Sequence, residues 1–165
     1  MKNKYCIGEE EIHNAAKRIH GIAKITPVLS NQIINNQVFN NKEGRVFFKV
    51  EAFQQTGSFK FRGALNAIQA LLQNVKQSGQ SDTINVVTHS SGNHAAALAF
   101  AAKCGGTHSS KNVEATIVMP KSAPTVKKDN TLRCGGKIGM SFQHVKFSFF
   151  LTCYIFNIFF TFSVC

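Results

Sequence analysis

Acidic residues are scarce in this chain: 8 Asp and Glu stand against 19 Lys and Arg across 165 residues, for a formal net charge of +11. An excess of that size attracts phosphates, nucleic acid or acidic lipid headgroups. The cations are nevertheless dispersed. The densest basic region, residues 121–133, holds Lys121, Lys127, Lys128 and Arg133 without an interleaved aromatic residue, which argues for a solvated surface and against a nucleic-acid interface. Paired cysteines are also missing. Cys6, Cys104, Cys134, Cys153 and Cys165 form an odd set with no CxxC pair and no matching histidine spacing, so a disulfide framework and a zinc site are both excluded and reduced, cytoplasmic usage is expected. The opening MKNKYCIGEEEIHNAAKRIH has no apolar run and carries three consecutive glutamates, unlike a secretory signal or a transit peptide. Charged residues make up only 16% of the chain and hydrophobic ones 44%, the balance of a globular chain with a sticky surface, not of a disordered one. The length suits one domain with a real core, or part of a larger architecture, and no internal repeat is visible.

What is present alternates between helical and extended patterns. Residues 9–23 place Ile12, Ala15, Ala16, Ile19 and Ala23 at spacings of three and four, with acids in the first turn, which predicts a helix. Pro27 pushes Thr26 into an extended conformation, residues 46–50 (VFFKV) read as a short apolar strand, and NQIINNQVFNN (residues 31–41) reads as an asparagine-rich connector at most. Leu65, Ile68, Leu71 and Leu72 keep a helical period through residues 59–72. INVVT (residues 84–88) predicts a buried strand, followed by the polar run HSSGNH and an alanine-rich helix stopped by Gly105. A further strand at residues 115–119 ends at Pro120, and a helix follows from near Ser122 to Pro124 until Gly135 and Gly136 stop it. Strand and helix alternating in this way predict an α/β fold with a parallel sheet.

The end of the chain departs from that alternation. Residues 147–165 (FSFFLTCYIFNIFFTFSVC) contain no charge, glycine or proline and hold seven of the 15 phenylalanines. The stretch approaches the ~20 apolar residues that span a bilayer, yet its polar interruptions and its β-branched and aromatic content make it a poor helix former in water. A membrane anchor and a non-native tail from a truncated or misread transcript both remain open, the second being favoured.

Two constellations carry chemistry. In QTGSFKFRGALNAI (residues 55–68) Lys60 follows a Gly-Ser-Phe turn and begins a helix. A lysine amine forms a Schiff base with an aldehyde when it is partly desolvated. Phe59 and Phe61 are candidates for the apolar surround, Gly57 permits close backbone approach, and Ser58 adds a hydroxyl. A merely solvated lysine at a helix start is the commoner arrangement. In THSSGNHAAALAF the strand ends among Ser90, Ser91, Gly92, Asn93 and His94, leaving free N–H groups of a helix terminus aimed at one spot. That pattern fits an anion site for a carboxylate or phosphate, and equally an ordinary capping turn.

These residues carry a family resemblance. EAFQQTGSFKFRGA (residues 51–64) resembles the cofactor-attachment segment of the pyridoxal-phosphate-dependent serine/threonine dehydratases, and HSSGNH (residues 89–94) resembles their substrate loop. ITPVL (residues 25–29) and the spacing of Met119, Pro120, Ala123 and Pro124 agree, and within the family the motifs are most similar to the serine-racemising branch. The resemblance runs from about Lys4 to about Ile138. It implies the tryptophan-synthase-β-like fold (fold type II), here as an incomplete doubly wound parallel-sheet domain over residues 1–138, with residues 139–165 a divergent hydrophobic tail outside it. It further implies pyridoxal 5'-phosphate held by Lys60 as an aldimine, with Phe59 and Asn93 contacting the cofactor. Lys60 and Ser91 would be the catalytic pair on opposite faces of the substrate, and Ser90, Ser91, Gly92, Asn93 and His94 would bind the substrate carboxylate. The implied reaction interconverts L-serine and D-serine, with β-elimination to pyruvate and ammonia from the same intermediate.

Departures from the family pattern set the remaining expectations. Ala95 and Ala96 replace a glycine and a nucleotide-contacting glutamine, Asn31 and Gln32 stand where effector-contacting serines occur, and Gln55 replaces a usual lysine. ATP activation is therefore not expected. No counterpart of the family's glycine-rich phosphate loop, pyridine-nitrogen partner or divalent-cation site follows Ile138, so impaired activity and no metal site are expected. The partners expected are a small amino acid and neither nucleic acid nor, despite the tail, membrane; the family's homodimer is not extended to this chain. A threonine/serine dehydratase fragment, or a non-catalytic product binding full-length subunits or membrane, are the alternatives.

Overall fold

Glutamates open the first helix, α1 (Glu9–Ile19), where their charges meet the exposed N–H groups of its first turn. The Gly8 N–H donates to the Glu11 carboxylate at 2.8 Å. The structure, a computed structural model, describes residues 7–40, 42–75 and 83–141. Helix α1 stops four residues short of the expected end at residue 23, because Gly21 adopts a left-handed φ of 78°. The N–H groups of Ile22 and Ala23 both donate to the Ile19 carbonyl and close the turn.

Strand β1 (Val28–Leu29) pairs antiparallel with β2 (Phe48–Lys49), Val28 opposite Lys49 and Leu29 opposite Phe48. The expected apolar strand at residues 46–50 is thus two residues long, and Phe47 and Phe48 are exposed. Helix α2 (Gln32–Phe39) lies between these strands and corrects the connector expected at residues 31–41. Its asparagines are caps: the Asn31 side chain accepts the Ile34 N–H at 3.1 Å, and Asn40 ends the helix at a left-handed φ of 50°. Asparagine favours both ends of a helix, so a run of them resembles a loop.

A 3-10 turn (Glu51–Phe53) leads to α3 (Lys60–Val75). Then come β3 (Thr83–His89), α4 (Asn93–Thr107), β4 (Asn112–Pro120), α5 (Thr125–Arg133) and β5 (Lys137–Ser141). The last three strands form a parallel sheet in the order β3-β4-β5, with Thr83 to His89 registered on Asn112 to Val118 and Thr116 to Pro120 on Lys137 to Ser141. The parallel α/β architecture read from the sequence is what forms. Strand β5 was not foreseen, and it continues past Ile138 to Ser141.

One face of the sheet is covered. Along β4, Val113, Ala115, Ile117 and Met119 are buried in alternation and meet α4, whose Ala95, Ala96, Ala97, Ala99, Ala101 and Ala102 are buried between the sheet and α3. A helix packed on two sides needs small apolar residues all round. Gly105 stays inside α4 and does not stop it, because a Cβ there would sit 2.5 Å from Ile68 Cγ2 of α3. Strand β3, expected to be buried, buries Val86 but leaves Val87 exposed on the other face. The apolar stretch at residues 147–165 lies outside the described residues.

Candidate active site

Helices α3 and α4 lie side by side and run in the same sense. Phe61, early in α3, packs against Phe100 with the rings tilted at 51° and 5.5 Å between centroids, and Ile68 and Leu72 further along meet Gly105 near the end of α4. Their N-termini therefore lie at one end, where β3 also finishes. In open parallel sheets the carboxyl ends of strands are where ligands are bound. Lys60 is the first residue of α3, and the run Ser90 to His94 joins β3 to α4.

The structure brings these two sequence candidates together. Burial pushes the His94 imidazole below its ordinary value, and the positive charge of Lys60 pushes it the same way. Lys60, half-buried, also places Nζ 5.4 Å from the centroid of the Phe59 ring, which is otherwise exposed. Phe61 does not join that surround. Successive helical residues point about 100° apart, so with Phe59 beside the amine Phe61 turns into the core, where it is 0% exposed.

The loop has the form of an anion-binding turn. The Ser90 N–H donates to the Val118 carbonyl at 3.2 Å, tying the loop to β4. The Gly92 N–H donates to Ser90 Oγ at 3.3 Å, and the Ala95 N–H to the Gly92 carbonyl at 3.0 Å. Gly92 is the N-cap of α4, and no side chain caps that helix. The first turn of α4 thus keeps the attraction of a helix N-terminus for negative charge, within electrostatic reach of Lys60. Ser90, Ser91, Gly92 and His94 are half-buried, and Asn93 is exposed. Ser58, two residues before Lys60, is 7% exposed and its hydroxyl lacks a partner among the described residues, as does Thr56 Oγ1. An amine, an uncapped helix terminus and orphaned hydroxyls together suit an aldehyde-bearing anionic group and a substrate carboxylate.

Sequence reasoning missed the polar cluster beneath Lys60. The Glu51 carboxylate accepts from Arg62 Nε at 2.8 Å, from the second Arg62 nitrogen at 2.7 Å and from the Thr26 hydroxyl at 2.6 Å. The hydrogen bonds of Arg62 hold the Glu51 carboxyl below the usual carboxylate range, with burial opposing and Thr26 assisting. Gln54, 3% exposed, accepts the Lys24 N–H and donates to the Lys24 carbonyl, both at 3.0 Å. Glu51 and Arg62 both sat inside the EAFQQTGSFKFRGA segment, but Glu51 lies in the 3-10 turn before α3, so a turn of the chain and not one helix face brings them together. Among the described residues no group of three His, Cys, Asp or Glu is placed to hold a metal. Asn31 and Gln32, where effector-contacting serines would stand by the family resemblance, serve α2, Gln32 donating to Asn36 at 2.9 Å.

The family model described as pyridoxal-phosphate dependent enzyme matches residues 24–143. Serine racemase of Rattus norvegicus is 44% identical over 128 residues, which cover 78% of this chain and 34% of the rat protein. Serine racemase of Arabidopsis thaliana is 44% identical over 138 residues, 83% of this chain and 37% of the relative. The solved structure of maize serine racemase superimposes with a TM-score of 0.70 at 41% identity, covering 86% of this chain and 38% of that one. The chain spans about a third of the length of the relatives it matches. With its Lys60 segment, its parallel sheet and its Ser90 to His94 turn all inside the matched residues, the chain belongs to the pyridoxal-phosphate dependent enzyme family.

Proposed function

We propose that the chain carries the lysine and the substrate loop of a serine racemase, an enzyme interconverting L-serine and D-serine with β-elimination to pyruvate and ammonia alongside. The observation that carries this reading is the meeting of Lys60 with the Ser90 to His94 turn at the common end of α3 and α4. The serine racemases of rat, Arabidopsis and maize support the choice of reaction. Lys60 is assigned as the residue that holds pyridoxal phosphate, with Phe59 beside it and Asn93 as a further contact. When bound, the cofactor supplies an electron sink for the carbanion left by loss of the α-proton. Lys60 Nζ takes that proton on one face, Ser91 Oγ delivers one to the other, and the Ser90 to His94 turn at the start of α4 holds the substrate carboxylate.

Residues 1–138 are proposed as the family-like part and 139–165 as a divergent tail, although β5 pairs through Ser141 and the family match reaches residue 143. A cytoplasmic setting is proposed from the reduced-cysteine pattern. Among the described residues no helix is long and apolar enough to cross a membrane. The test is chemical: incubation of the full chain with pyridoxal phosphate, borohydride reduction and peptide mapping. The adduct is expected on Lys60, absent in Lys60→Ala, and a mixture spread evenly over the lysines would sink the assignment. Chiral analysis of L-serine incubations then reads D-serine directly, and Ser91→Ala is expected to lower D-serine more than pyruvate.

A further inference from the structure

Lys60 stands on the first turn of α3, and the direction of that turn is set by side chains that the proposed reaction does not use. Arg62 presents its planar fork to both oxygens of Glu51, at 2.8 and 2.7 Å. A bidentate pair of this kind fixes an angle as well as a distance, which a lysine, a point charge on a flexible stem, does not. The same carboxylate accepts the hydroxyl of Thr26, itself 3% exposed. Arg62 donates again to the Lys24 carbonyl at 3.0 Å, and Lys49 Nζ to the Thr26 carbonyl at 2.7 Å. Segments 24–26, 49–51 and the start of α3 thus converge on one carboxylate. Residues two apart on a helix point about 200° from each other, so a fastening at Arg62 leaves the opposite side of the turn to present Lys60. Phe61, between them, is sunk in the core against Phe100 and supplies the second fixed point.

We propose that Glu51, Arg62 and Thr26 are positioning residues for Lys60: the three-way contact locks the rotation of the first turn of α3 and so holds Lys60 Nζ toward the Ser90 to His94 turn. The inference rests on the reading of Lys60 as the cofactor lysine. It makes the Glu51-Arg62 fork, and not charge alone, the quantity that the site needs.

The experiment uses the full chain, labelled with pyridoxal phosphate, reduced and mapped, with the share of label on Lys60 compared with that on Lys24 and Lys103. Glu51→Gln and Arg62→Lys are each expected to lower the Lys60 share about tenfold, since misplacement by about an ångström costs up to about a hundredfold in rate. Thr26→Val, which leaves the ion pair intact, is expected to give a smaller fall in the same direction. Glu114→Gln, which breaks the exposed pair with Lys137, is expected to leave the share unchanged. Arg62→Lys separates positioning from charge, because labelling restored to the wild-type share by lysine would overturn the role of the fork. Circular dichroism of each variant accompanies the mapping, and should Glu51→Gln unfold, Thr26→Val carries the decision. Selective labelling of Lys60 in the wild type that persists unchanged in Glu51→Gln, Arg62→Lys and Thr26→Val overturns the positioning role alone. Indiscriminate labelling of the wild type overturns the cofactor reading of Lys60 and this inference with it.

Discussion

His94 reports on Lys60. Its imidazole is pushed below its ordinary value first by burial and then by the Lys60 charge, and the two causes separate experimentally. In an NMR titration of the ring protons, the midpoint is expected below the usual ~6.5, and Lys60→Met should move it upward by removing the charge while leaving most of the burial. An unmoved midpoint would show that the amine does not reach the ring. Because the neutral form is favoured in the folded chain, the contribution of His94 is complete above its unfolded value and is lost as pH falls through the lower folded one. Glu51 has the same sign for a different reason. The hydrogen bonds from Arg62 favour its charged form, so the stability it contributes is complete above ~4.3, the ordinary glutamate value, and disappears as pH falls through the depressed folded value. Glu51→Gln should therefore flatten the acid limb of stability, measured as denaturant midpoints over a pH series, and leave its slope near neutrality as before.

Close contact between α3 and α4 is what brings Lys60 to the loop, and at Gly105 that contact leaves no room for a side chain. Replacing an interior helical glycine by alanine ordinarily gains about 1 kcal/mol. Here the new Cβ would lie 2.5 Å from Ile68 Cγ2 and 3.2 Å from Leu72 Cδ1, and overpacking costs roughly 1–3 kcal/mol. Gly105→Ala is expected to destabilise by about 1 kcal/mol, read from denaturant midpoints, and the double variant with Ile68→Ala, itself costing roughly 2–5 kcal/mol, should lose less than the sum of the two single losses. The parallel sheet, α3 and α4 were legible in the sequence because their apolar periods and the polar run between β3 and α4 are local signals. The end of α4 was misread at Gly105 because a glycine demanded by a neighbouring helix looks the same as one that stops a helix. The asparagines of α2 failed for a similar reason, since caps and loops use the same residue. In the site, Lys60 and residues 90–94 were legible as contiguous runs, and Phe61 shares the helical period of the buried Leu65, Ile68 and Leu72, whereas the Glu51-Arg62 fork depends on a chain reversal that no spacing encodes.

At the scale of the whole chain, apolar exposure and positive charge oppose one another. Ile25 is 92% and Phe47 63% exposed, and Val28, Leu29 and Phe48 on the β1-β2 ribbon are exposed as well. Among the described residues, β3 and β5 each have β4 as their one neighbour, so each presents a free edge. Unpaired edges and contiguous apolar surface both favour association, while a formal charge of +11 on 165 residues makes like chains repel. Added salt screens the repulsion and leaves apolar contact intact, since the screening length falls from about 30 Å at 0.01 M to about 10 Å at 0.1 M ionic strength. The chain is therefore expected to self-associate more strongly as sodium chloride rises, read as weight-average mass by sedimentation or light scattering. Leu29→Lys with Phe47→Lys should lower the mass at every salt concentration, because the pair removes apolar surface from the ribbon and adds charge to it. A mass that falls with salt in the parent chain would show that ionic contacts drive assembly, and would assign the exposed β1-β2 surface no part in it.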